Sequence, residues 1–167
     1  MLSLFFLSIM IERISDNNIQ RASEAFSASW RFSHNGIVSE VELDAHSPEC
    51  MKAVIRAEER KGNVVFSYDK KGESRGIVSF HPTKNHISKL YVNPAYLRRG
   101  IGKELVSFAV SQMRTDAPVN VYCLNVNRRA RAFYESVGFT YRGENLPFSD
   151  DEKLFLMVYV YERKGIR

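Results

Sequence analysis

The apolar positions in the first third of the chain follow one short alternating stretch and then helical spacing. Residues 10–15 alternate in the manner of a strand. Over 17–30 the apolar residues recur at helical spacing, and Asp16 is available as a cap. The Ser-Pro pair at 47–48 is typical of a helix start, so a second helix is predicted over 48–61.

The rest of the chain alternates short apolar runs with turn residues and two further helical patterns. The helices are predicted over 101–113 and 128–137, the turn 69–72 predicts a hairpin, and 149–152 forms an acidic loop. The predicted strands are 64–68, 76–80, 87–92, 119–124, 139–141 and 154–161. This order predicts an α/β fold with a mixed sheet of six to seven strands and flanking helices.

Length and composition are those of one globular domain. The 167 residues are 44% hydrophobic and 26% charged, and no repeat, low-complexity tract or long linker divides them. The apolar stretch in 1–9 is too short to span a bilayer and lacks the features of a signal peptide. We therefore expect an N-terminal extension at 1–9, a single domain over 10–165, and no membrane partner.

The chain is basic, and its only thiols are isolated. Lys and Arg number 24 against 19 Asp and Glu, and two basic clusters lie near 98–103 and 128–131. A basic surface suits nucleic acid or a phosphorylated ligand, but no nucleic-acid-binding signature is present, which favours a small polyanion. Cys50 and Cys123 make no disulfide framework, so a cytoplasmic setting is expected.

A glycine-rich turn lies between the predicted strand 87–92 and the helix that follows. Gly100 and Gly102 allow the backbone to approach a ligand closely. The first N–H groups of the helix have no intrahelical partner, and with the helix dipole they form a pyrophosphate site. The segment is neither a dinucleotide fingerprint nor a P-loop. An ordinary turn before a helix is the alternative.

Two segments, LYVNPAYLRRGIG at 90–102 and NRRARAFYESVGF at 127–139, together resemble the GCN5-related N-acetyltransferase (GNAT) family. The family's first motif is a strand, then Gln/Arg-x-x-Gly-x-Gly/Ala, then a helix, and residues 90–102 read LYVNPAYLRRGIG. Its second motif appears about 25 residues later, where 127–139 read NRRARAFYESVGF. Leu97 stands where the family usually has Gln or Arg. The resemblance implies the GNAT fold, with a splay between the strands 87–92 and 119–124, and acetyl-CoA as cosubstrate.

The resemblance also implies which residues bind acetyl-CoA. The backbone at 90–92 would pair with the pantetheine arm, and the loop would bind the pyrophosphate. Asn127 would contact the pantetheine or phosphate region, and an arginine among 128–131 the 3′-phosphate. The expected contacts are Leu90, Tyr91, Val92, Arg98, Arg99, Gly100, Ile101, Gly102, Lys103, Asn127 and Arg129.

The same resemblance places two side chains in the chemistry. Tyr134 matches the family's general acid, and a phenol with an ordinary pKa near 10 stays protonated at neutral pH. His86 occupies the position where many members have a basic Glu. The alternative for Tyr134 is a core aromatic. The alternative for His86 is a surface side chain, with water as the base. Tyr122 stands where some relatives have another Glu.

The expected reaction is direct attack of a primary amine on acetyl-CoA in a ternary complex, with no metal ion. The acceptor, a small-molecule amine or a protein or peptide amine, is expected beside Trp30, Phe32 and His34. Acidic residues at 144 and 150–151 would attract it. A silent acyl-CoA-binding regulatory module and another acyl group or acceptor are open alternatives. A nucleic-acid partner is not expected, and the chain is expected to be a monomer or homodimer.

Overall fold

The computed structural model describes residues 10–114, 116–148, 150 and 152–163. The proposed extension at 1–9 and residues 164–165 lie outside this part. The strands are β1 (Ile11–Arg13), β2 (Val64–Lys70), β3 (Glu73–His81), β4 (His86–Val92), β5 (Val119–Leu124), β6 (Thr140–Pro147) and β7 (Phe155–Tyr161). The helices are α1 (Ile19–His34), α2 (Glu40–Ala45), α3 (Pro48–Arg60), α4 (Ile101–Gln112) and α5 (Arg128–Ser136), with a 3₁₀ turn at Pro94–Tyr96.

The seven strands form one mixed sheet in the order β1-β2-β3-β4-β5-β7-β6. The β4–β5 pair is parallel, and the other five pairs are antiparallel. The expected α/β fold is therefore confirmed. The helix α4 connects the two parallel strands, as a crossover must.

Each face of the sheet is covered by helices that bury an apolar stripe. On one face α1 and α3 bury Phe26, Met51 and Ile55 against β2 and β3. On the other face α4 and α5 bury a larger cluster that includes Leu105 and Tyr134. The strands β2, β3 and β4 thus contribute to both clusters, whereas β5 packs only against the larger one.

The structure corrects three local predictions. The helix α1 begins at Ile19 with Asn18 at its N-cap, and Asp16 instead pairs with Arg56 at 2.6 Å. The helix α2 was not predicted, because it has six residues and buries only Leu43. The strand β6 runs to Pro147 and not to 141, since its exposed polar residues carry no alternating apolar pattern.

Candidate functional site

The parallel strands β4 and β5 pair at only two positions and then diverge. His86 is opposite Asn120, and Ile87 is opposite Val121, with no further paired positions between these strands. A register shift against β3 leaves Ser88 as an extra residue, because Ser79 pairs with Lys89 and Phe80 with Ile87. Beyond the two pairs, the side of β4 that faces β5 is open. We call this opening the splay.

The connection between β4 and α4 places backbone N–H groups without intrahelical partners at the wide end of the splay. The Asn93 side chain caps the 3₁₀ turn, and Arg98 then adopts a left-handed conformation with φ 62°. Gly100 is the N-cap of α4 with φ 81°, a conformation that favours glycine. The first helical bond runs from Glu104 N to Gly100 O at 3.0 Å, so the three preceding N–H groups have no intrahelical partner.

The two glycines of this loop have different roles. A Cβ on Gly100 would meet nothing within 4 Å, so the backbone there is open to a ligand. A Cβ on Gly102 would lie 3.0 Å from the Phe133 ring on α5. Gly102 therefore allows α4 and α5 to pack closely, which sequence reasoning, with its emphasis on the pyrophosphate, missed.

Tyr134 lies near Cys123 of β5 and Tyr91 of β4, the two strands that diverge. Its side chain is 6% exposed and packs edge-on against Phe133 and Phe139. Burial raises the pKa of Tyr134, and the Cys123 thiol and the Tyr91 phenol raise it further. Within the described part of the chain, no hydrogen-bond partner is assigned to its hydroxyl. A phenol that stays protonated and has no protein partner can donate a hydrogen bond to a bound group.

Cys123 lines the same interior but is poorly suited to be a nucleophile. It is 4% exposed, and burial raises the pKa of its thiol to about 12. The thiolate is therefore almost unpopulated at neutral pH. Cys123 is therefore a poor candidate for the nucleophile of an acyl-enzyme.

The basic residues of α5 have distinct environments. Asn127 caps the helix through its Oδ1, which accepts from Ala130 N at 3.0 Å. The Arg131 guanidinium donates to Asn125 O at 3.0 Å and to the Tyr159 hydroxyl at 3.3 Å. The Arg129 guanidinium lies over the Phe32 ring, 4.4 Å from its centroid. Arg131 is thus already engaged, and Arg129 links α5 to the end of α1.

A polar pocket of about 370 Å³ lies at the closed end of the splay, on the face covered by α3. Its lining comes from the end of α3 and the residues that follow it, from the end of β3 and the β3–β4 turn, and from β4 and β5. The residues are Glu58, Lys61, Asn63, His81, Lys84, His86, Ser88, Lys89, Asn120 and Tyr122. The extra residue in β4 places the sequence neighbours Ser88 and Lys89 on this one pocket.

His86 is held in the pocket in one tautomer. Its Nδ1 lies 2.5 Å from Asn120 Oδ1, and its ring is 4.4 Å from that of Tyr122. A carbonyl oxygen only accepts, so Nδ1 carries the proton and Nε2 carries the lone pair. Burial lowers the pKa of His86, and the charge of Lys89 acts in the same direction. The ring is therefore neutral at pH 7 and able to accept a proton.

Glu58 is the buried carboxylate of the pocket. It is 3% exposed and accepts hydrogen bonds from Asn63 at 2.7 Å and Ser79 at 3.0 Å. Lys61 and Lys89 lie 3.5 and 4.0 Å from its Oε1. Burial on its own raises the pKa of Glu58, but the hydrogen bonds and these cations together lower it, so it stays ionised.

Asn85 fixes the closed end of the splay. It adopts a left-handed conformation with φ 50° and is 2% exposed. Its Nδ2 donates to the carbonyls of Arg114 and Ala117 at 3.1 and 2.9 Å, and its own carbonyl accepts from Asn120 N at 2.9 Å. Asn85 thereby ties the start of β4 to the segment entering β5.

The other expected acceptor-side residues lie apart from this pocket. Trp30 is stacked between His34 at 4.2 Å and His46 at 3.4 Å, measured between ring centroids. Phe32 is 43% exposed beside Arg129, and Glu144 is exposed on the edge strand β6. Asp150 is exposed, and Asp151 lies outside the described residues.

The sequence profile of the acetyltransferase (GNAT) domain family matches residues 28–151, so the chain belongs to this family. It is similar to PaiA N-acetyltransferase from Thermoplasma acidophilum in complex with coenzyme A. That likeness has 21% identity and a TM-score of 0.69, over 90% of this chain and 98% of that one. The chain is also similar to a GCN5-related N-acetyltransferase from Rhodopseudomonas palustris. That likeness has 20% identity and a TM-score of 0.71, over 92% of this chain and 94% of that one.

A more distant likeness is to a putative streptothricin acetyltransferase from Bacillus anthracis in complex with acetyl coenzyme A. It has 17% identity and a TM-score of 0.55, over 62% of this chain and 64% of that one. At these identities the structures support the fold alone. Among the described helices, none has the length and apolar character needed to cross a membrane.

Proposed function

We propose that the chain is an acetyl-CoA-dependent N-acetyltransferase that acetylates a primary amine by direct attack in a ternary complex. The observation that carries this proposal is the splay, with the unpaired N–H groups of α4 at its wide end and Tyr134 near both diverging strands. The relatives from Thermoplasma acidophilum and Bacillus anthracis, which contain coenzyme A and acetyl coenzyme A, support the choice of cosubstrate.

The residues of the chain fit acetyl-CoA in one direction. Its pyrophosphate would be bound by the N–H groups at 101–103, with Arg98, Arg99 and Lys103 adding positive charge. The arm would then run back along Leu90–Val92, where β4 has no β5 partner. Asn127 and Arg129 lie at the start of α5 and would contact the outer part of the cofactor. This direction brings the thioester toward the closed end.

The side chains at the closed end supply proton transfer. Acetyl-CoA supplies the activated acetyl group. His86 Nε2 accepts a proton from the ammonium group of the acceptor, directly or through a water, because its lone pair faces away from Asn120. The neutral amine that results then attacks the thioester carbonyl. Tyr134 donates its hydroxyl proton toward the departing sulfur, which gains negative charge as the C–S bond breaks.

The test is an acceptor screen that follows thiol release from acetyl-CoA over amines of different charge and size. Release that requires an amine, with the acetylated product found by mass spectrometry, is the expected result. Tight acetyl-CoA binding without turnover on any amine would contradict the enzymatic proposal and favour a silent acyl-CoA-binding module. A variant with Gly100→Asp should lose both binding and turnover, because it places a charge beside the pyrophosphate.

A further inference from the structure

The polar pocket carries an excess of positive charge. Lys61, Lys84 and Lys89 contribute three ammonium groups against the single carboxylate of Glu58. That carboxylate is already compensated by Lys61 and Lys89, at 3.5 and 4.0 Å. Within the residues that the structure describes, the Lys84 ammonium makes no ion pair or hydrogen bond. One cation is therefore available for a ligand.

This charge pattern favours one kind of amine. A ligand that carries only ammonium groups is repelled by the pocket, whereas an anionic group is attracted to it. The lysines also disfavour the protonated form of an amine placed among them, and this helps to generate the neutral nucleophile. An amine with an attached anion gains both effects. A volume of about 370 Å³ suits a small molecule.

We propose that the acceptor is a small amine that also carries a carboxylate or phosphate group. Lys84 holds the anionic group at the outer side of the pocket, and the amino group faces His86 at the closed end of the splay. The proposal rests on the proposed function, because it names the substrate class of that same site. The shared chemistry is an anion beside a primary amine.

The first test compares matched acceptors in the thiol-release assay. Phosphoethanolamine is compared with ethanolamine, β-alanine with β-alaninamide, and putrescine serves as a purely cationic amine. The anionic member of each pair is expected to have the higher kcat/KM, by about tenfold or more, as for a charge-assisted contact. The two pairs separate phosphate from carboxylate recognition. Equal rates within both pairs, or a preference for putrescine, would overturn the proposal.

The second test changes the available cation. In Lys84→Met, the KM of the better anionic acceptor should rise about tenfold, while the KM of acetyl-CoA stays unchanged. Lys84→Glu should raise the KM of the anionic acceptor further and lower the KM of putrescine. Lys52→Met is the matched control, because Lys52 is exposed on the same helix as Glu58 but does not line the pocket. An unchanged acceptor KM in both Lys84 variants would refute the assignment.

A binding measurement separates this proposal from the proposed function. Phosphoethanolamine and β-alanine are titrated calorimetrically into the CoA-saturated protein at about 0.05 M and about 0.5 M salt, since salt screens exposed charges. Salt-sensitive binding that Lys84→Met weakens, without turnover, would refute the enzyme and keep the anion pocket. Turnover without anion preference would refute only the pocket. The absence of both binding and turnover would refute both.

Discussion

His86 and Asn120 are joined twice at the closed end of the splay. They are opposite each other in the only paired segment of β4 and β5, and His86 Nδ1 lies 2.5 Å from Asn120 Oδ1. The same residue thus fixes the strand register and the tautomer of the proposed base. Asn120 is a positioning residue for His86.

Removal of the His86 ring should abolish the acid-side inflection of the rate profile. Burial lowers the pKa of His86, so the wild-type kcat/KM should fall only at a pH below the ordinary histidine value. In His86→Ala the inflection should vanish, and kcat should drop by about a hundredfold, as for loss of a general base. An unchanged profile would remove His86 from the chemistry.

Asn120→Asp should move the acid-side inflection of the rate profile to a higher pH. A carboxylate at this position stabilises the imidazolium, so the pKa of His86 rises and less of the neutral base is present at pH 7. The shift should be about one unit upward in kcat/KM against pH. A purely structural role for Asn120 would change the height of the profile but not its midpoint.

Tyr134→Phe should lower kcat without disturbing the fold. The ring keeps its contacts with Phe133 and Phe139, and the lost hydroxyl has no assigned partner in the described residues. We expect a loss of kcat of about a hundredfold, typical of an acid catalyst, with an unchanged KM for acetyl-CoA. Tyr141→Phe is the control, since its exposed hydroxyl bonds to Asn145. Full kcat in Tyr134→Phe would exclude it as the acid.

Substitutions of Gly100 and Gly102 should fail for different reasons. Gly100→Asp should abolish acetyl-CoA binding, because it places a charge beside the pyrophosphate. Its stability should fall by only about 1 kcal/mol, because the left-handed backbone disfavours a side chain but the space around Gly100 is open. Gly72→Asp is the matched control, because Gly72 has φ 77° and equally open space in the hairpin turn. Gly102→Ala should instead lower Tm, as its Cβ would press on Phe133. The readouts are calorimetric CoA affinity and thermal unfolding.

The stacked rings around Trp30 should make stability depend on pH. Burial lowers the pKa of His34 below 6.5, so the unfolded chain binds more protons at mildly acidic pH. Stability is then complete above about pH 6.5 and falls as the pH decreases toward the lowered folded value. Because Trp30 is the only tryptophan, urea unfolding followed by its fluorescence measures this directly. In His34→Phe the dependence should be weaker, and an equally steep one would contradict the assignment.

The sequence predicts the bounds of an element correctly where local capping or turn residues define its ends. The helix α3 begins as expected because Ser47 accepts from Cys50 N at 3.2 Å and Pro48 occupies the first turn. The strand β5 has the predicted bounds because its apolar run is flanked by Pro118 and polar residues. One sequence signal could have predicted the start of α2, namely Ser39 as its N-cap, whose hydroxyl accepts from Glu42 N.

The sequence predicts only some of the residues of the candidate site. The glycine loop, Tyr134 and His86 belong to local motifs and could be named in advance. Glu58 resembles an ordinary surface charge near the end of a helix, and only its packing against Ser79 on β3 reveals that it is buried. Lys84 and Asn120 are far apart along the chain. Their meeting depends on the crossover through α4, which no local pattern encodes.

The two-position contact between β4 and β5 also has a thermodynamic consequence. Only two paired positions join the strands β1–β4 to the strands β5–β7, so these two halves of the sheet are weakly connected. A ligand that binds between the halves of the folded sheet should therefore increase the folding stability. Acetyl-CoA that pairs with Leu90–Val92 would act as a strand bridging the halves. Saturating cosubstrate should therefore slow hydrogen exchange on both sides of the sheet and sharpen the thermal transition into a single cooperative step.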